Sequence, residues 1–361
     1  MLKYDKELYM RGMVYRGNKK LFLEELPEPF PRALEVQVQV HYCGICATDI
    51  EEYMYGPVFI DSDKPNRITG EMMPLVTGHE ITGIVTRVGE KVEPDLIGKR
   101  VVLNGMLSCD SCDRCYEGRT TQCLGAAAVG FARNGGLAEL LTWPADHIVE
   151  LPDSISSLSS ALVEPASVAA HAVTSSAVKK GDRVAVIGAG TVGILACQIS
   201  LAMGAVVDAF DIRQEPLDLL SKMDGISAYR VDSPHYASAV EEASVGGGYD
   251  VVLDTAGHSS TPVESVKLAR HGGKIILVAI YTELTNIDFN ALVATEKQII
   301  GSLAYEQKDV ELVVELLSTG QLETEMLISE VISLDDVLSV GFPKMMAESK
   351  DVYRILVNPR V

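Results

Sequence analysis

The sequence predicts an α/β protein with two domains, a β-rich one followed by a doubly wound parallel sheet. Residues Leu34 to Val40 alternate apolar and polar side chains with a period of two, which is typical of a half-buried strand. From Gly181 onward, short apolar strands alternate with helical patterns, which indicates βαβ units and a parallel sheet. At 361 residues the chain is too long for one ordinary hydrophobic core, so we expect two domains.

Composition and charge exclude several classes of protein. With 47% hydrophobic and 22% charged residues, the chain resembles a globular protein rather than a disordered or fibrous one. Its formal net charge of −19 argues against nucleic acid or an anionic membrane as a partner, because both bind basic surfaces. The uncharged stretch from Val184 to Val207 is long enough to span a membrane, but its glycines fit a strand, a turn and a helix. We therefore interpret it as buried core.

The cysteines and the N-terminal residues bear on the cellular compartment. Seven cysteines, four of them between Cys109 and Cys123, indicate metal ligation in a reducing compartment rather than a disulfide framework. The segment from Met1 to Arg16 is charged throughout and lacks the apolar region of a secretory leader. We therefore expect a cytoplasmic protein.

The predicted strands of the first part are separated by turns at Gly89-Glu90 and Gly98-Lys99. A long insertion at 53–76 interrupts them between Cys46 and His79, two candidate metal ligands. Loops of this length are usually functional or disordered, and we interpret this one as the rim of an active site. The strands are predicted at 34–40, 81–88, 101–103, 137–141 and 147–151.

The second part begins with a predicted helix at 156–178, which has serine-rich capping at its start. Two βαβ units follow, because short apolar strands flank segments of helical periodicity. Their elements are strand 184–187, helix 192–203 and strand 206–210, then strand 251–254, helix 262–270 and strand 274–279. A helix at 308–318, a segment at 334–340 and a strand near 353–357 complete the prediction.

A candidate metal site begins at Cys46. Cys43 and Cys46 form C-x-x-C, which alone fits a redox pair, half of a metal site or two core residues. Thr48, two residues later, offers a hydroxyl that can carry a proton. A thiolate from Cys46, an imidazole from His79 and a carboxylate from Glu164 would give zinc three ligands and an open position, the catalytic arrangement. Sequence spacing alone does not bring these groups together.

A second candidate metal site is a small lobe at 105–125. Its cysteines have the spacing C-x2-C-x2-C-x7-C, and four thiolates close a tetrahedral zinc site, which is structural. An iron–sulfur centre is the alternative, because thiolates also suit it. The lobe has few apolar residues, so we expect the metal to supply its folding free energy. The four residues are Cys109, Cys112, Cys115 and Cys123.

A dinucleotide site is predicted at Gly188-Ala189-Gly190-Thr191-Val192-Gly193, which has the form G-x-G-x-x-G. It follows an apolar strand, begins a helix and is followed by Asp211 at the end of the next strand, as the fingerprint requires. Asp211 would bind the ribose hydroxyls and repel a 2′-phosphate, which favours NAD. Arg213 leaves NADP as an alternative, and a glycine-rich turn without a cofactor is the structural alternative.

Taken together, these features resemble those of the zinc-dependent medium-chain dehydrogenases, in the same order and over essentially the whole chain. Within that family the sequence is most similar to the sorbitol, butanediol and threonine dehydrogenases, because Glu164 stands where the alcohol dehydrogenases themselves have a cysteine. The run from Cys43 to Cys46 and the Tyr55-Gly56-Pro57 that follows are particularly similar to butanediol dehydrogenases.

The resemblance implies a domain layout and two cofactors. A GroES-like catalytic domain would comprise 1–166 and 304–361, with a Rossmann domain at 167–303, and the metal and nicotinamide would meet in the cleft between them. We expect a catalytic and a structural zinc together with NAD. The resemblance assigns the catalytic zinc to Cys46, His79, Glu80 and Glu164, with Glu80 and Glu164 both open as the third ligand and Cys43 left to the core. It assigns the nicotinamide pocket to Thr255, Val278, Ile280 and Leu303.

The resemblance also implies a mechanism. Zinc would lower the pKa of a substrate hydroxyl, and a hydride would pass to the nicotinamide. Thr48 would take the hydroxyl proton, and Glu80 would support the zinc or alternate as its ligand. Related enzymes usually have a histidine at the position of Glu51. Three interpretations of this difference stay open. Glu51 relays the proton, or the proton leaves through water, or Glu51 and Glu52 are a solvated acidic pair.

The sequence thus favours NAD-linked oxidation of a secondary alcohol, a polyol or vicinal diol, to the ketone. An L-threonine-type amino-alcohol dehydrogenase is the alternative within the family. A non-catalytic, crystallin-like binding or structural protein is the alternative from another class. The expected partners are a small-molecule substrate and further copies of the chain, as a homodimer or homotetramer.

Overall fold

A computed structural model describes residues 8–281, 283–347 and 352–361. The first seven residues of the charged N-terminal segment therefore lie outside the described residues. The chain forms two compact units. Unit 1 comprises Met1–Glu164, Glu306–Val314 and Thr324–Val361, and unit 2 comprises Pro165–Tyr305 and Glu315–Glu323. No helix in the described part of the chain is long and apolar enough to cross a membrane.

Strands predominate up to residue 150, and helices alternate with strands beyond it. In chain order the strands are β1 Tyr9–Tyr15, β2 Leu21–Pro27, β3 Glu35–Ile45, β4 Leu75–Val76, β5 Glu80–Val88, β6 Arg100–Leu103, β7 Met106–Leu107, β8 Ala127–Ala128, β9 Leu140–Pro144, β10 Ile148–Glu150, β11 Arg183–Ile187, β12 Val206–Asp211, β13 Ile226–Arg230, β14 Tyr249–Asp254, β15 Ala269–Leu277, β16 Gln298–Gly301, β17 Ile328–Ile332 and β18 Arg354–Val357. The α-helices are α1 Ala47–Tyr55, α2 Asp113–Tyr116, α3 Ser157–Ser160, α4 Val163–Ser175, α5 Thr191–Ala202, α6 Glu215–Leu220, α7 Pro234–Ser244, α8 Thr261–Leu268, α9 Phe289–Thr295, α10 Gln307–Ser318 and α11 Phe342–Met346.

The largest sheet of unit 1 brings distant segments to β3. Its strands follow the order β10-β6-β5-β3-β18-β17, and β9 also pairs with β3. The antiparallel register of β3 and β5 places Gly44 opposite Glu80, and β18 pairs Leu356 with Gly44 from the other side. The end of β3, the start of β5 and the start of β18 therefore meet at one place, next to Cys46 and His79.

The first predicted strand is confirmed as part of β3, but the prediction that it is half buried is wrong. Val36, Val38 and Val40 are fully buried, and Gln37 on the opposite face is only 1% exposed. The amide of Gln37 is satisfied there, because Nε2 donates to the carbonyl of Pro29 at 2.7 Å and to Oε1 of Glu28 at 3.0 Å. A buried polar side chain with its own partners is thus indistinguishable from a solvent-facing one in the alternation pattern.

Unit 2 contains the predicted doubly wound sheet. Its strands, in the part of the chain that the structure describes, follow the order β13-β12-β11-β14-β15-β16, and all the pairings are parallel. Numbered within the sheet, this is the Rossmann order 3-2-1-4-5-6. The α/β class and this architecture are therefore confirmed. The predicted helix at 156–178 is instead two helices, α3 and α4, and β13 and β16 were not predicted.

Candidate active site

Three side chains of unit 1 form a candidate metal centre. One ligand atom each from Cys46, His79 and Glu80 lies within 4.8 Å of the other two. Glu80 is fully buried, and the side chain of His79 is 11% exposed. A thiolate, an imidazole and a carboxylate are the donors that zinc accepts, and three protein ligands leave one position open. The donor set therefore fits a catalytic zinc ion.

The end of β3 and the start of α1 position Cys46. Cys46 is the N-cap of α1 with an extended backbone, and its N–H donates to Oδ2 of Asp49 at 3.0 Å. The sulfur thus lies at the positive, N-terminal end of a helix. The same Asp49 carboxylate, which is buried, lies 3.6 Å through Oδ1 from Nδ1 of His79. Asp49 therefore orients both ligands, as acidic partners of metal-bound histidines do.

His79 has one ring nitrogen directed at Asp49 and the other near Thr48. Burial lowers the pKa of His79, but the Asp49 carboxylate and the Cys46 sulfur outweigh burial and raise this pKa well above its usual value. The imidazole also packs on the ring of Phe131, with the centroids 5.0 Å apart. The negative groups around His79 thus favour a positive charge at this place, either a proton or a metal ion that replaces it.

Glu80 is a buried carboxylate with unused hydrogen-bonding capacity. Nη1 of Arg354 is 2.9 Å from its Oε1, yet neither oxygen has an aligned hydrogen bond from any described residue. Gly44, opposite Glu80, leaves the space it occupies, because a Cβ there would be 1.9 Å from Oε2. Buried oxygens that lack hydrogen bonds, beside a thiol and an imidazole, are groups that a metal ion would satisfy.

Glu164 lies in the first turn of α4 and is half buried. It lies outside the group formed by Cys46, His79 and Glu80. Its charge still reaches the site, because it contributes to raising the pKa of Arg354. The geometry thus assembles Glu80 as the carboxylate of the group, and a ligand role for Glu164 stays a prediction.

The two candidate proton carriers lie on α1. The hydroxyl of Thr48 is 3.5 Å from Nε2 of His79, so it lies beside the metal centre. Glu51 is half buried, its carboxylate makes no hydrogen bond to another described residue, and burial raises its pKa. Glu52 is fully buried and hydrogen bonded to the backbone of Phe59. The interpretation of Glu51 and Glu52 as a solvated acidic pair is therefore wrong.

The four cysteines of the lobe come together without disulfides. Their sulfurs are separated by 3.4 Å for Cys109 and Cys123, 3.5 Å for Cys112 and Cys115, and 3.9 Å for Cys109 and Cys115. A zinc–sulfur bond of about 2.3 Å implies a sulfur–sulfur distance of about 3.8 Å in a tetrahedron. Hydrogen bonds from Ser111 lower the pKa of Cys109 to about 6, which favours the thiolate. The lobe therefore fits a structural zinc ion.

The glycine-rich turn of unit 2 borders a cavity of about 490 Å³. Gly188 has φ of +94°, and a Cβ on Gly193 would be 1.8 Å from the Gly188 carbonyl oxygen, so both positions require glycine. A Cβ on Gly190 would meet nothing within 4 Å, which leaves the N-terminus of α5 open to a ligand. Thr191 and Val192 form the first turn of that helix. The turn fits the pyrophosphate of a dinucleotide.

Asp211 ends β12 at the edge of the same cavity, with Arg213 beside it. Burial would raise the pKa of Asp211, but hydrogen bonds from Arg213 and from the N–H of Ala189 lower it below its usual value. The guanidinium of Arg213 is 3.2 Å from both carboxylate oxygens through its Nε and Nη2 atoms. The carboxylate is thus ionised and in place to bind ribose hydroxyls.

The residues predicted for the nicotinamide pocket lie just beyond the carboxyl ends of neighbouring parallel strands. Thr255 follows β14 and lines the cavity, and its hydroxyl donates to the Gly188 carbonyl at 2.8 Å. Val278 and Ile280 follow β15, and Leu303 follows β16. Ile280 is 52% and Leu303 67% exposed, so both offer apolar surface at the edge where ligands of such sheets bind.

Two further residues of unit 1 have structural roles. Cys43 is fully buried in the core of unit 1, which does not fit a redox partner for Cys46. Arg133 is also buried, and it pairs with Glu35 at 2.9 Å and Glu71 at 3.5 Å. Conversely, the residues that orient the ligands, Asp49, Phe131 and Arg354, were not predicted. Only the position of Asp49 three residues after an N-cap offered a local signal.

Comparisons with known proteins identify the class. Residues 32–153 match the alcohol dehydrogenase GroES-like domain, and residues 191–319 match the zinc-binding dehydrogenase domain. The chain belongs to the zinc-dependent medium-chain dehydrogenases and to their sorbitol and butanediol branch. It is an alcohol or polyol dehydrogenase whose family uses zinc and NAD, as predicted.

Individual relatives cover nearly the whole chain. It is 32% identical to (R,R)-butanediol dehydrogenase of Bacillus subtilis, over 97% of this chain and 100% of that one. It is 33% identical to a probable D-xylulose reductase A of Arthroderma otae, over 90% of this chain and 91% of that one. The crystal structure of 2R,3R-butanediol dehydrogenase from Bacillus subtilis matches with a TM-score of 0.88 and 30% identity, over 97% and 100% of the chains.

Proposed function

We propose that the protein oxidises the secondary hydroxyl of a vicinal diol to a ketone with NAD, and that polyols are slower substrates. The observation that carries the choice of diol is an aromatic wall beside the metal centre. Phe131 packs on His79 with the centroids 5.0 Å apart, and Phe59 packs on Phe131 at 5.4 Å. Such a wall favours an alkyl group next to the reacting carbon over a further hydroxyl, because a hydroxyl placed there loses its hydrogen bonds.

The names of the relatives support a diol or a polyol as the class of substrate. The bacterial relative is named a butanediol dehydrogenase and the fungal one a xylulose reductase, so a diol and a polyol substrate both occur among the similar proteins. The L-threonine-type alternative needs a cation for the substrate carboxylate. Arg354 and Arg133 are buried and already paired with Glu80 and Glu35, and Lys64 and Arg67 are exposed on the loop. The diol therefore fits the described residues better.

Each residue of the site has a distinct part in the reaction. When bound, zinc would supply a Lewis acid that lowers the pKa of the substrate hydroxyl, and NAD would supply the hydride acceptor. Cys46, His79 and Glu80 hold the metal, and the hydroxyl oxygen of Thr48 accepts the substrate proton. Asp49 fixes the orientation of His79, and the rings of Phe131 and Phe59 keep water from one side of the reacting carbon.

At the cofactor site, the glycine-rich turn and the start of α5 bind the pyrophosphate, and Asp211 accepts hydrogen bonds from the adenosine ribose. An ionised Asp211 repels a 2′-phosphate, which supports NAD over NADP. Apolar contacts for the nicotinamide come from Val278, Ile280 and Leu303 together with Thr255.

Two further acidic residues keep a proposed role at the metal centre. Glu164 is an alternative zinc ligand, and Glu51 is the group that receives the proton from Thr48.

The test is NADH formation by the zinc-loaded enzyme with a substrate panel. We expect the highest kcat/KM with 2,3-butanediol, a lower value with sorbitol and xylitol, and the lowest with L-threonine. A preference for threonine would replace the diol with the amino alcohol. Turnover of none of these, with zinc bound at both sites, would favour the non-catalytic alternative.

We further propose that the enzyme is a cytoplasmic homo-oligomer, a dimer or tetramer. β16 lies at the edge of the unit 2 sheet in the described chain, and an open edge can pair with a second copy. Exposed apolar side chains lie in the segment before it: Leu284 is fully exposed, Phe289 72% and Val293 78%. Thiolate ligands support a reducing compartment. Light scattering at several concentrations measures the oligomeric state.

A further inference from the structure

The carboxylate of Glu52 is buried without a cation. Glu52 lies near the end of α1, is fully buried, and has no lysine or arginine within ion-pair distance in the described ranges. Its oxygens accept backbone N–H groups of the following loop instead: Val58 at 3.1 Å, Phe59 at 2.6 Å and Ile60 at 3.3 Å. Three aligned N–H dipoles thus replace the counter-ion that a buried carboxylate requires.

These hydrogen bonds fix the segment that carries Phe59. Ile60 is anchored by the core, because it is 3% exposed, whereas Phe59 is 39% exposed and is not held by burial. The shortest bond of Glu52, at 2.6 Å, goes to the N–H of Phe59 itself. The backbone carbonyl of Glu52 also accepts hydrogen bonds from the Tyr15 hydroxyl at 3.1 Å and from the N–H of Gly56 at 2.9 Å. The start of the loop is therefore rigidly tied to α1.

A chain of ring contacts connects this anchor to the metal centre. Phe59 packs on Phe131 with the centroids 5.4 Å apart, and Phe131 packs on His79 at 5.0 Å. A later residue of the same loop also contacts the segment of Phe131, because the Thr69 hydroxyl donates to the carbonyl of Ala132 at 2.5 Å. The position of the Phe59 ring thus depends on a carboxylate that does not itself touch the metal centre.

We propose that Glu52 is a positioning residue that determines substrate selectivity: by holding the backbone of 58–60, it places Phe59 against Phe131 and so maintains the apolar wall beside His79. Loss of the carboxylate frees three N–H groups and lets the wall move away. The site then discriminates less between a diol flanked by methyl groups and a polyol flanked by hydroxyls. The effect on selectivity rests on the proposed function, whereas the anchoring of the loop does not.

The experiment compares Glu52→Gln, Phe59→Ala and the double variant with the zinc-loaded wild type. Glutamine keeps the size of the side chain but removes its negative charge and replaces one of the two accepting oxygens with an NH₂ group, so the hydrogen bonds to the backbone N–H groups weaken. Hydrogen–deuterium exchange reports the amides of Val58, Phe59 and Ile60, and steady-state kinetics report kcat and KM for 2,3-butanediol and sorbitol. Asp61→Asn is the matched control, because Asp61 is an exposed acid of the same loop.

For Glu52→Gln we expect exchange at the three amides to speed up by about tenfold or more, since a hydrogen bond to a charged group contributes that factor. We expect the selectivity for butanediol over sorbitol to fall by about tenfold, through KM for butanediol, with KM for NAD unchanged. The double variant should have the selectivity of Phe59→Ala, because Glu52 acts through Phe59. Asp61→Asn should change none of these quantities.

Several results would overturn the proposal. Unchanged exchange in Glu52→Gln would show that the carboxylate does not hold the loop. Faster exchange with unchanged selectivity, or additive losses in the double variant, would reduce Glu52 to a purely structural residue. If wild-type enzyme turns over neither alcohol, the proposed function fails on its own, and the exchange of 58–60 still decides the anchoring. If Glu52→Gln does not fold, the test uses Glu52→Asp, which keeps the charge on a shorter side chain. This variant must show faster exchange at 58–60 and reduced selectivity, both to a smaller extent.

Discussion

The guanidinium of Arg354 lies 2.9 Å from the carboxylate of Glu80, and these side chains are 5% and 0% exposed. Arg354 also donates to the carbonyl of Ile45 at 2.9 Å. A positive charge therefore lies next to the candidate metal centre, whose expected ligands include a thiol and a carboxylate. The arginine balances these charges when the metal is absent and limits how far Glu80 can move toward it.

We predict that Arg354→Met destabilises the protein by about 3–5 kcal/mol, because it leaves Glu80 buried and unpaired. Denaturant unfolding of the protein without zinc at the Cys46 site measures this change. The pair is tested further by Arg354→Met combined with Glu80→Gln, which should recover part of the loss. A loss in the double variant equal to the sum of the losses in Arg354→Met and Glu80→Gln alone would mean that the two side chains are not coupled.

We predict that Gly44→Ala removes the catalytic zinc and spares the structural one. A Cβ at this position would be 1.9 Å from Oε2 of Glu80, so the carboxylate must leave its place. Overpacking of this kind also costs about 1–3 kcal/mol of stability. Metal analysis should give one zinc per chain where the wild type has two. Two zinc ions per chain with normal activity would contradict the prediction.

We predict that Cys112→Ser loses the structural zinc and unfolds the lobe at 105–125 locally, because four thiolates hold it together. Limited proteolysis should then cut within the lobe, while the metal centre at Cys46 keeps its zinc. Cys197→Ser is the matched control, since Cys197 is buried in α5 and is distant in sequence from the cysteines of both candidate metal sites. A lobe that resists proteolysis after complete chelation would show that the metal is dispensable for its folding.

We predict that Asp211 contributes stability that is lost on acidification. Its pKa is lowered in the folded protein by Arg213 and by the N–H of Ala189, so the folded state holds the ionised form more strongly than the unfolded state does. This contribution is fully present above the ordinary aspartate pKa of 3.8 and disappears as the pH falls through the lowered value. Asp211→Asn should remove this part of the pH dependence of unfolding and weaken NAD binding. Identical acid-unfolding curves would contradict it.

We predict that Glu51→Gln slows oxidation near neutral pH and removes one ionisation from the pH–rate profile. Burial raises the pKa of Glu51, so in the wild type the rate should rise with pH through that value as the carboxylate becomes able to accept a proton. The profile of kcat/KM measures this limb. An unchanged profile would leave the proton to water and make Glu51 a bystander.

Part of this site could be predicted from the sequence because its chemistry is local. Three parts of the site each lie in one segment of the chain, and the residue types in that segment imply the chemistry. These parts are Cys46 with Thr48, the glycine-rich turn with Asp211, and the four cysteines of the lobe. The choice between Glu80 and Glu164 is different, since it depends on the register of β3 and β5, which pairs Gly44 with Glu80. No local pattern encodes that register.

Two residues that support the site, Arg354 and Glu52, carried no signal in the sequence. Arg354 is 309 positions from its acceptor Ile45 and looks like any charged residue at the start of a strand. Glu52 stands next to Glu51, and an acidic pair on a helix is usually solvated. In this fold the chain turns back over Glu52 and buries it, whereas Glu51 stays half exposed. Burial of a charged side chain is decided by tertiary packing, which the sequence pattern does not contain.

The pairing of β18 with β3 also separates the two candidate metal sites by the length of chain that each needs for its completion. Cys109 and Cys123 are 14 positions apart, so their loop closes at small entropic cost soon after both leave the ribosome. The contact between Ile45 and Arg354 spans 309 positions and waits until nearly all of the chain has been synthesised. We therefore expect the four-cysteine lobe to close locally during translation, whereas Glu80 and Cys46 receive the buried charge of Arg354 only when the last strand docks.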